Sequence, residues 1–143
     1  MRLPLLAPAV ALALTLTACG SDDAARSVTY PSGGGAGTDA PEVGALRSLC
    51  DVRASLDGGD TAGAEATFQD DVHEQLHHLA DEVAGVDRTV SGDLLMAKSV
   101  VEDGFLQDPA DAAELGAATD ELLSAMRLAL GAVGLPAPAC PTT

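Results

Sequence analysis

Residues 62–83 read AGAEATFQDDVHEQLHHLADEV. In this stretch Ala64, Phe68, Val72, Leu76, Leu79 and Val83 recur at steps of four or three. That is the period of one apolar stripe along an α-helix. All three histidines of the chain, His73, His77 and His78, fall within it.

The flanking sequence repeats the pattern. Upstream, Val43, Leu46, Leu49, Cys50 and Val52 supply the inward side of a first helix, which starts after Pro41 and runs to about Leu56. Asp57-Gly58-Gly59 ends it, with glycine available for a left-handed cap. Asp60 is placed to cap the second helix, and Gly85 closes that helix. Asp87 is placed to cap a third helix from about Arg88 to Phe105, with Val90, Leu94, Ala97, Val101 and Phe105 as its stripe. Asp108-Pro109 gives a cap followed by proline at the first helical position, a start signal for the fourth helix. That helix runs to about Val133 with Leu115, Ala118, Leu122, Ala125 and Ala129 facing in, and Gly134, Leu135 and Pro136 end it. No segment of any length alternates with the period of a strand. The expected fold is all-α: a small antiparallel bundle of four helices over residues 42–143, behind a flexible tether.

Composition bounds the core and the partners. With 143 residues the chain has room for one domain, and with no Trp, one Tyr and two Phe its core is aliphatic. Asn and Ile are absent and Lys98 is the only lysine, a bias that points to a GC-rich genome and explains much of the Ala, Gly and Val content. The formal charge is −15. A polyanionic surface repels nucleic acid and anionic lipid, and attracts cationic partners or divalent ions. The simpler reading of the charge is a solubilising coat.

Residues 1–18, MRLPLLAPAVALALTLTA, have a short n-region with Arg2, an apolar run and then small residues. This is the layout of a secretory signal peptide, which is no part of a fold. The short length, with Pro4 and Pro8, argues against a stable transmembrane helix. The segment ends Leu16-Thr17-Ala18-Cys19, which resembles the lipobox of bacterial lipoproteins: leucine, a small or polar residue, alanine or glycine, then cysteine. The resemblance implies acylation of the Cys19 thiol and cleavage before it. It also implies attachment by lipid to the extracytoplasmic face of the cell membrane. Residues 20–41 are rich in Gly, Ser, Asp and Pro, the composition of a flexible tether, with a span of roughly 25 Å for a random coil of this length.

With Cys19 assigned to the lipid, Cys50 and Cys140 remain as a pair, and in an exported domain they are expected to form a disulfide. The pairing tests the topology. In an up-down bundle the fourth helix ends beside the start of the first. Cys50 lies about 12 Å along the first helix at 1.5 Å per residue, and the tail from Leu135 to Cys140 reaches about 16 Å when extended. An odd number of helices would leave the two ends on opposite sides.

The histidines offer the one candidate site. At 100° per residue His73 sits about 100° and His77 about 140° from the centre of the stripe, with His78 about 120° away on the other flank. His73 and His77, at i and i+4, share a side with Asp70, Glu74 and Asp81. Two imidazoles at that spacing can hold Zn²⁺ or Cu²⁺ through one nitrogen each, with carboxylates such as Asp70 and Asp81 or waters completing the set. The alternative is a solvated acidic helix whose histidines pair with neighbouring carboxylates, and a pH-responsive face is a variant of it. His73-Glu74-Gln75-Leu76-His77 has the spacing of the metalloprotease pattern His-Glu-x-x-His, a five-residue match that without a third ligand does not establish a catalytic zinc site. Lys98 and Glu102, at i and i+4 close to an apolar stripe, read as a partly buried ion pair. There is no phosphate-binding glycine loop ending in Lys and Ser or Thr, and no Gly-x-Ser-x-Gly elbow. The expected function is a non-enzymatic binding module of the envelope that takes another envelope protein or a small ligand. The rival is a metal-binding or metal-buffering lipoprotein using His73 and His77.

Overall fold

The computed structural model describes residues 38–141. The leader, Cys19 and most of the tether lie outside the described residues. Helix α1 spans Pro41–Asp57, α2 Thr61–Thr67, α3 His73–Ala84, α4 Arg88–Phe105 and α5 Ala112–Ala132. A π-helical turn, Phe68–Val72, joins α2 to α3 without a break, so the chain forms four rods. Among the described residues there is no strand, and no helix is long and apolar enough to cross a membrane.

Each rod starts and stops for a local reason. Pro41 occupies the first turn of α1, where its missing N–H costs nothing, and Glu42 favours the positive end of the dipole. Gly59, at φ 77°, takes the left-handed turn after α1. Asp60 then accepts from Gly63 N–H at 2.9 Å, and Asp87 accepts from Thr89 and Val90 N–H at 2.9 and 3.1 Å, as the sequence indicated. The fourth start differs from expectation. Asp108-Pro109 precedes the helix, and the cap is Asp111, which accepts from Ala113 and Glu114 N–H at 2.8 and 3.1 Å. Asp111 with Glu114 three residues on is the stronger signal, because the carboxylate satisfies two free amides and Glu114 lies in the first turn.

Neighbouring rods run antiparallel: α1 packs on α2 and α5, and α4 packs on α3 and α5. The core holds Leu46, Leu49, Leu76, Leu79, Leu94, Leu122, Met126 and Leu130, with Phe68 fully buried among them. Phe68 meets Phe105 at 5.7 Å between ring centroids. The disulfide between Cys50 and Cys140, with Cα atoms 5.5 Å apart, ties the tail back along α1 as the four-rod topology requires. At the α4–α5 contact Gly104 lets the helices approach closely: a Cβ there would lie 2.7 Å from Leu115 Cδ2.

Two stripes are shifted over part of their length: Leu94, Val101 and Phe105 on α4 and Leu115, Leu122 and Ala129 on α5 are buried as the spacing indicated, and the other expected positions lie at the edge. On α4 the buried positions are Ser91, Leu94, Lys98, Val101 and Phe105, while Val90 and Ala97 are half-buried at the edge. On α5 the buried set is Leu115, Thr119, Leu122, Met126 and Ala129, together with Gly116, Leu123 and Leu130 on its α1 side, and Ala118 and Ala125 sit at the edge. In both cases a polar residue occupies the seam because its polar atom is satisfied there. Ser91 Oγ donates to Ala80 O at 2.8 Å and Thr119 Oγ1 to Leu115 O at 2.7 Å.

Candidate functional site

The π turn sets the geometry of the histidine face. Three successive steps of four, Ala64 to Phe68 to Val72 to Leu76, each overshoot a 3.6-residue turn by about 40°, so a regular α-helix would rotate the stripe off the core. The wider π turn absorbs the excess, and all four side chains are fully buried. His73 N–H closes the π turn by donating to Phe68 O, five residues back. The phase relations of a regular helix therefore do not hold across Asp70, which lies inside the turn.

His73 leaves that turn facing α4. Its Nε2 lies 3.0 Å from Glu102 Oε1, and its ring meets Phe68 edge-on at 6.5 Å. The same Glu102 oxygen accepts from Lys98 Nζ at 2.6 Å. The expected Lys98–Glu102 pair thus exists, and His73 joins it as a third member. The lysine side chain is 5% exposed and occupies a seam position, whereas Glu102 is 28% exposed at the rim. A buried ammonium requires a carboxylate held against it, and here the imidazole of His73 lies against the same carboxylate oxygen.

The sequence-predicted metal residues are only partly brought together. His73 and His77 face each other across one turn with ring centroids 5.1 Å apart. Asp70 and Asp81 are exposed, and His78 sits 3.7 Å from Glu74 on the outer side. Among the described residues no group of three or more His, Cys, Asp or Glu is placed to hold a metal ion. The imidazole–carboxylate pairing weighed in the sequence is what the geometry displays, with Glu102 on the neighbouring helix as partner.

A second feature lies on the opposite side of α4. Met96, Ala97 and Val100 from α4, with Ala125 and Leu128 from α5, line an open groove of about 390 Å³. Met96, Val100 and Leu128 are 69%, 53% and 67% exposed, and they are three of the six large apolar side chains exposed among the described residues. The half-buried alanines form the floor and the large side chains the walls. Asp93 and Glu121 contribute the charged groups of the rim. Sequence reasoning missed this groove. The available signal was diluted: Met96, Val100 and Leu128 are left over once each expected stripe is spent, but so are Leu95, Leu123, Met126 and Leu130, and the last three are buried.

A third concavity, beside the disulfide, is polar. There Arg53 donates to Asp57 and, through Nε, to Asp120 at 3.0 Å, while Arg127 Nη2 lies 3.3 Å from Cys140 Sγ. The bond to Asp57 raises the Arg53 pKa above its ordinary value, the bond to Asp120 adds to this, and burial opposes it. No protein-family model matches the chain, and no curated protein or solved structure matches it.

Proposed function

We propose that this chain is a membrane-anchored lipoprotein of the extracytoplasmic face whose helical domain acts by binding a partner, without catalysis. The observation that carries the anchoring is the leader: a charged n-region, an apolar run and Leu16-Thr17-Ala18-Cys19 in register at its end. The Cys50–Cys140 bridge supports an oxidising compartment, where such a bond persists. The apolar groove on an acidic bundle supports binding, because solvent-facing apolar side chains gathered in one concavity are a feature of interaction sites. The groups with the most chemistry to offer, Lys98, Glu102 and His73, neutralise one another in a helix–helix contact, with the amine out of a substrate's reach.

Metabolic labelling with a fatty acid tests the anchoring. Wild type is expected to carry label and to fractionate with membranes, and Cys19→Ala is expected to lose both. Equal label in the two proteins would remove the reading.

A further inference from the structure

The groove between α4 and α5 has a chemistry that selects among occupants. Its walls and floor are aliphatic, and its rim charges are carboxylates. The Ser124 hydroxyl at its edge already donates to Asp120 O at 3.0 Å, so the groove offers no converging donors to orient a small polar ligand. Met96 and Val100 are one turn apart on one wall and Leu128 stands on the other, with Ala97 and Ala125 recessed between them. That relief accepts apolar side chains arriving at i, i+3 or i+4, the spacing an amphipathic helix presents.

Charge decides which partner brings them. A second copy of this chain would set its own acidic rim against this one, each chain carrying a formal −15, and an anionic lipid surface would be repelled in the same way. Lysines or arginines flanking an apolar stripe would instead fall beside Asp93 and Glu121. We infer that the α4–α5 groove receives a cationic amphipathic helix of a partner protein. This rests on the binding-module reading above and adds to it the surface and the chemistry of the partner. The apolar walls supply the affinity that survives salt, and the carboxylates supply orientation and encounter rate.

Residues 20–143 retain the whole described bundle and serve for the test. The probe is a fluorescent Leu/Lys peptide of about 18 residues, five helical turns, with leucines at i, i+3, i+4 and i+7. The controls are the same composition in scrambled order and a Leu/Glu peptide of the same layout. Saturable one-to-one binding of the ordered Leu/Lys peptide is expected, weakened but measurable at about 0.5 M salt, where exposed ion pairs are screened. The double variant Met96→Glu/Leu128→Glu, and independently Val100→Glu, should weaken it at least tenfold, while Leu106→Glu, elsewhere on the surface, should leave it unchanged. The groove variants add negative charge, so a diffuse polyanion would bind the cationic peptide more tightly in them. Tighter or equal binding therefore overturns the inference, as does equal binding of the scrambled peptide. A concentration-dependent dimer in sedimentation that the double variant disperses would assign the groove to a second copy, and groove-dependent flotation with anionic vesicles would assign it to lipid. Either result overturns the cationic-helix assignment. Failure here with Cys19-dependent labelling intact removes this surface alone, whereas loss of that labelling dependence removes the anchoring.

Discussion

Two seams of the bundle are built in opposite ways. Between α1 and α5 the contact is aliphatic, closed by the Cys50–Cys140 bond, with charge at the Arg53 rim and at Arg127 beside the bridge. Between α3 and α4 the contact includes a buried lysine, a buried serine bonded to the opposite helix, and an imidazole sharing the lysine's carboxylate. The first seam is tolerant, since aliphatic side chains of similar volume can replace one another at small cost. The second is conditional, because each polar group there is stable only while its partner remains. A bundle with few aromatic residues uses a covalent tie on one side and matched polar groups on the other.

Breaking the tie has the largest expected effect. The bridge closes a loop with a sequence separation of 90 residues, and on the loop-entropy account such a closure contributes about 4–5 kcal/mol. Cys140→Ser is expected to lose about that much in urea-induced unfolding, a large share of a small domain's stability. A loss under about 1 kcal/mol would show that the aliphatic contacts hold the α1–α5 seam unaided, and the contrast between the seams would shrink.

The conditional seam gives the next effect and a change of sign. Glu102→Ala strands the Lys98 ammonium in the core and is expected to cost about 2–3 kcal/mol, less than the ~3–5 of a fully buried pair because Glu102 is 28% exposed. Lys98→Met keeps the volume and removes the charge, so it is expected to be neutral or stabilising by about 1 kcal/mol. Chemical denaturation of the two variants checks both. If Lys98→Met costs more than Glu102→Ala, the lysine contributes something other than a neutralised charge, and the conditional reading of the α3–α4 seam fails.

The same contrast explains what was legible in the sequence. Every apolar position assigned to the second helix is buried, as are Leu46, Leu49 and Val52 on α1, because burial of aliphatic side chains leaves a periodic trace. Cys50 and Cys140 were paired by elimination and by reach along the rods. On α4 the i, i+4 spacing of Lys98 and Glu102 did announce their ion pair, whereas nothing in the position of Ser91 announces Ala80 O, on another helix, as its partner. The π turn was hidden in the run of fours at Ala64, Phe68, Val72 and Leu76, which satisfies a helical template while exceeding its pitch. Glu102 was absent from the carboxylates first grouped around His73, because they were sought on its own helix and the partner lies on α4.

The smallest expected effect concerns the rim of the tolerant seam. Arg53 lies over Gly116, where a Cβ would stand 3.3 Å from its Cζ, and bonds to Asp57 and Asp120, which are 67% and 58% exposed. Ion pairs with partners that exposed contribute about 0–1 kcal/mol, so Arg53→Met, which keeps the stem over Gly116, is expected to cost no more than about 1 kcal/mol. The pH dependence has a definite sign. The hydrogen bond that Arg53 donates to Asp57, and then the one to Asp120, raise the Arg53 pKa in the folded state. A cation with a raised folded pKa contributes fully at every pH below its unfolded value and loses that contribution only as pH climbs through the folded one. For arginine that window lies far into alkali, so the decrement from Arg53→Met should be the same at about pH 6 and about pH 9, and should shrink in about 0.5 M salt. Urea unfolding of the pair of proteins at the two pH values measures it. A decrement that changes across that range would mean that a group titrating near neutrality couples to the Arg53 rim, and the α1–α5 seam would then share the conditional character of its opposite.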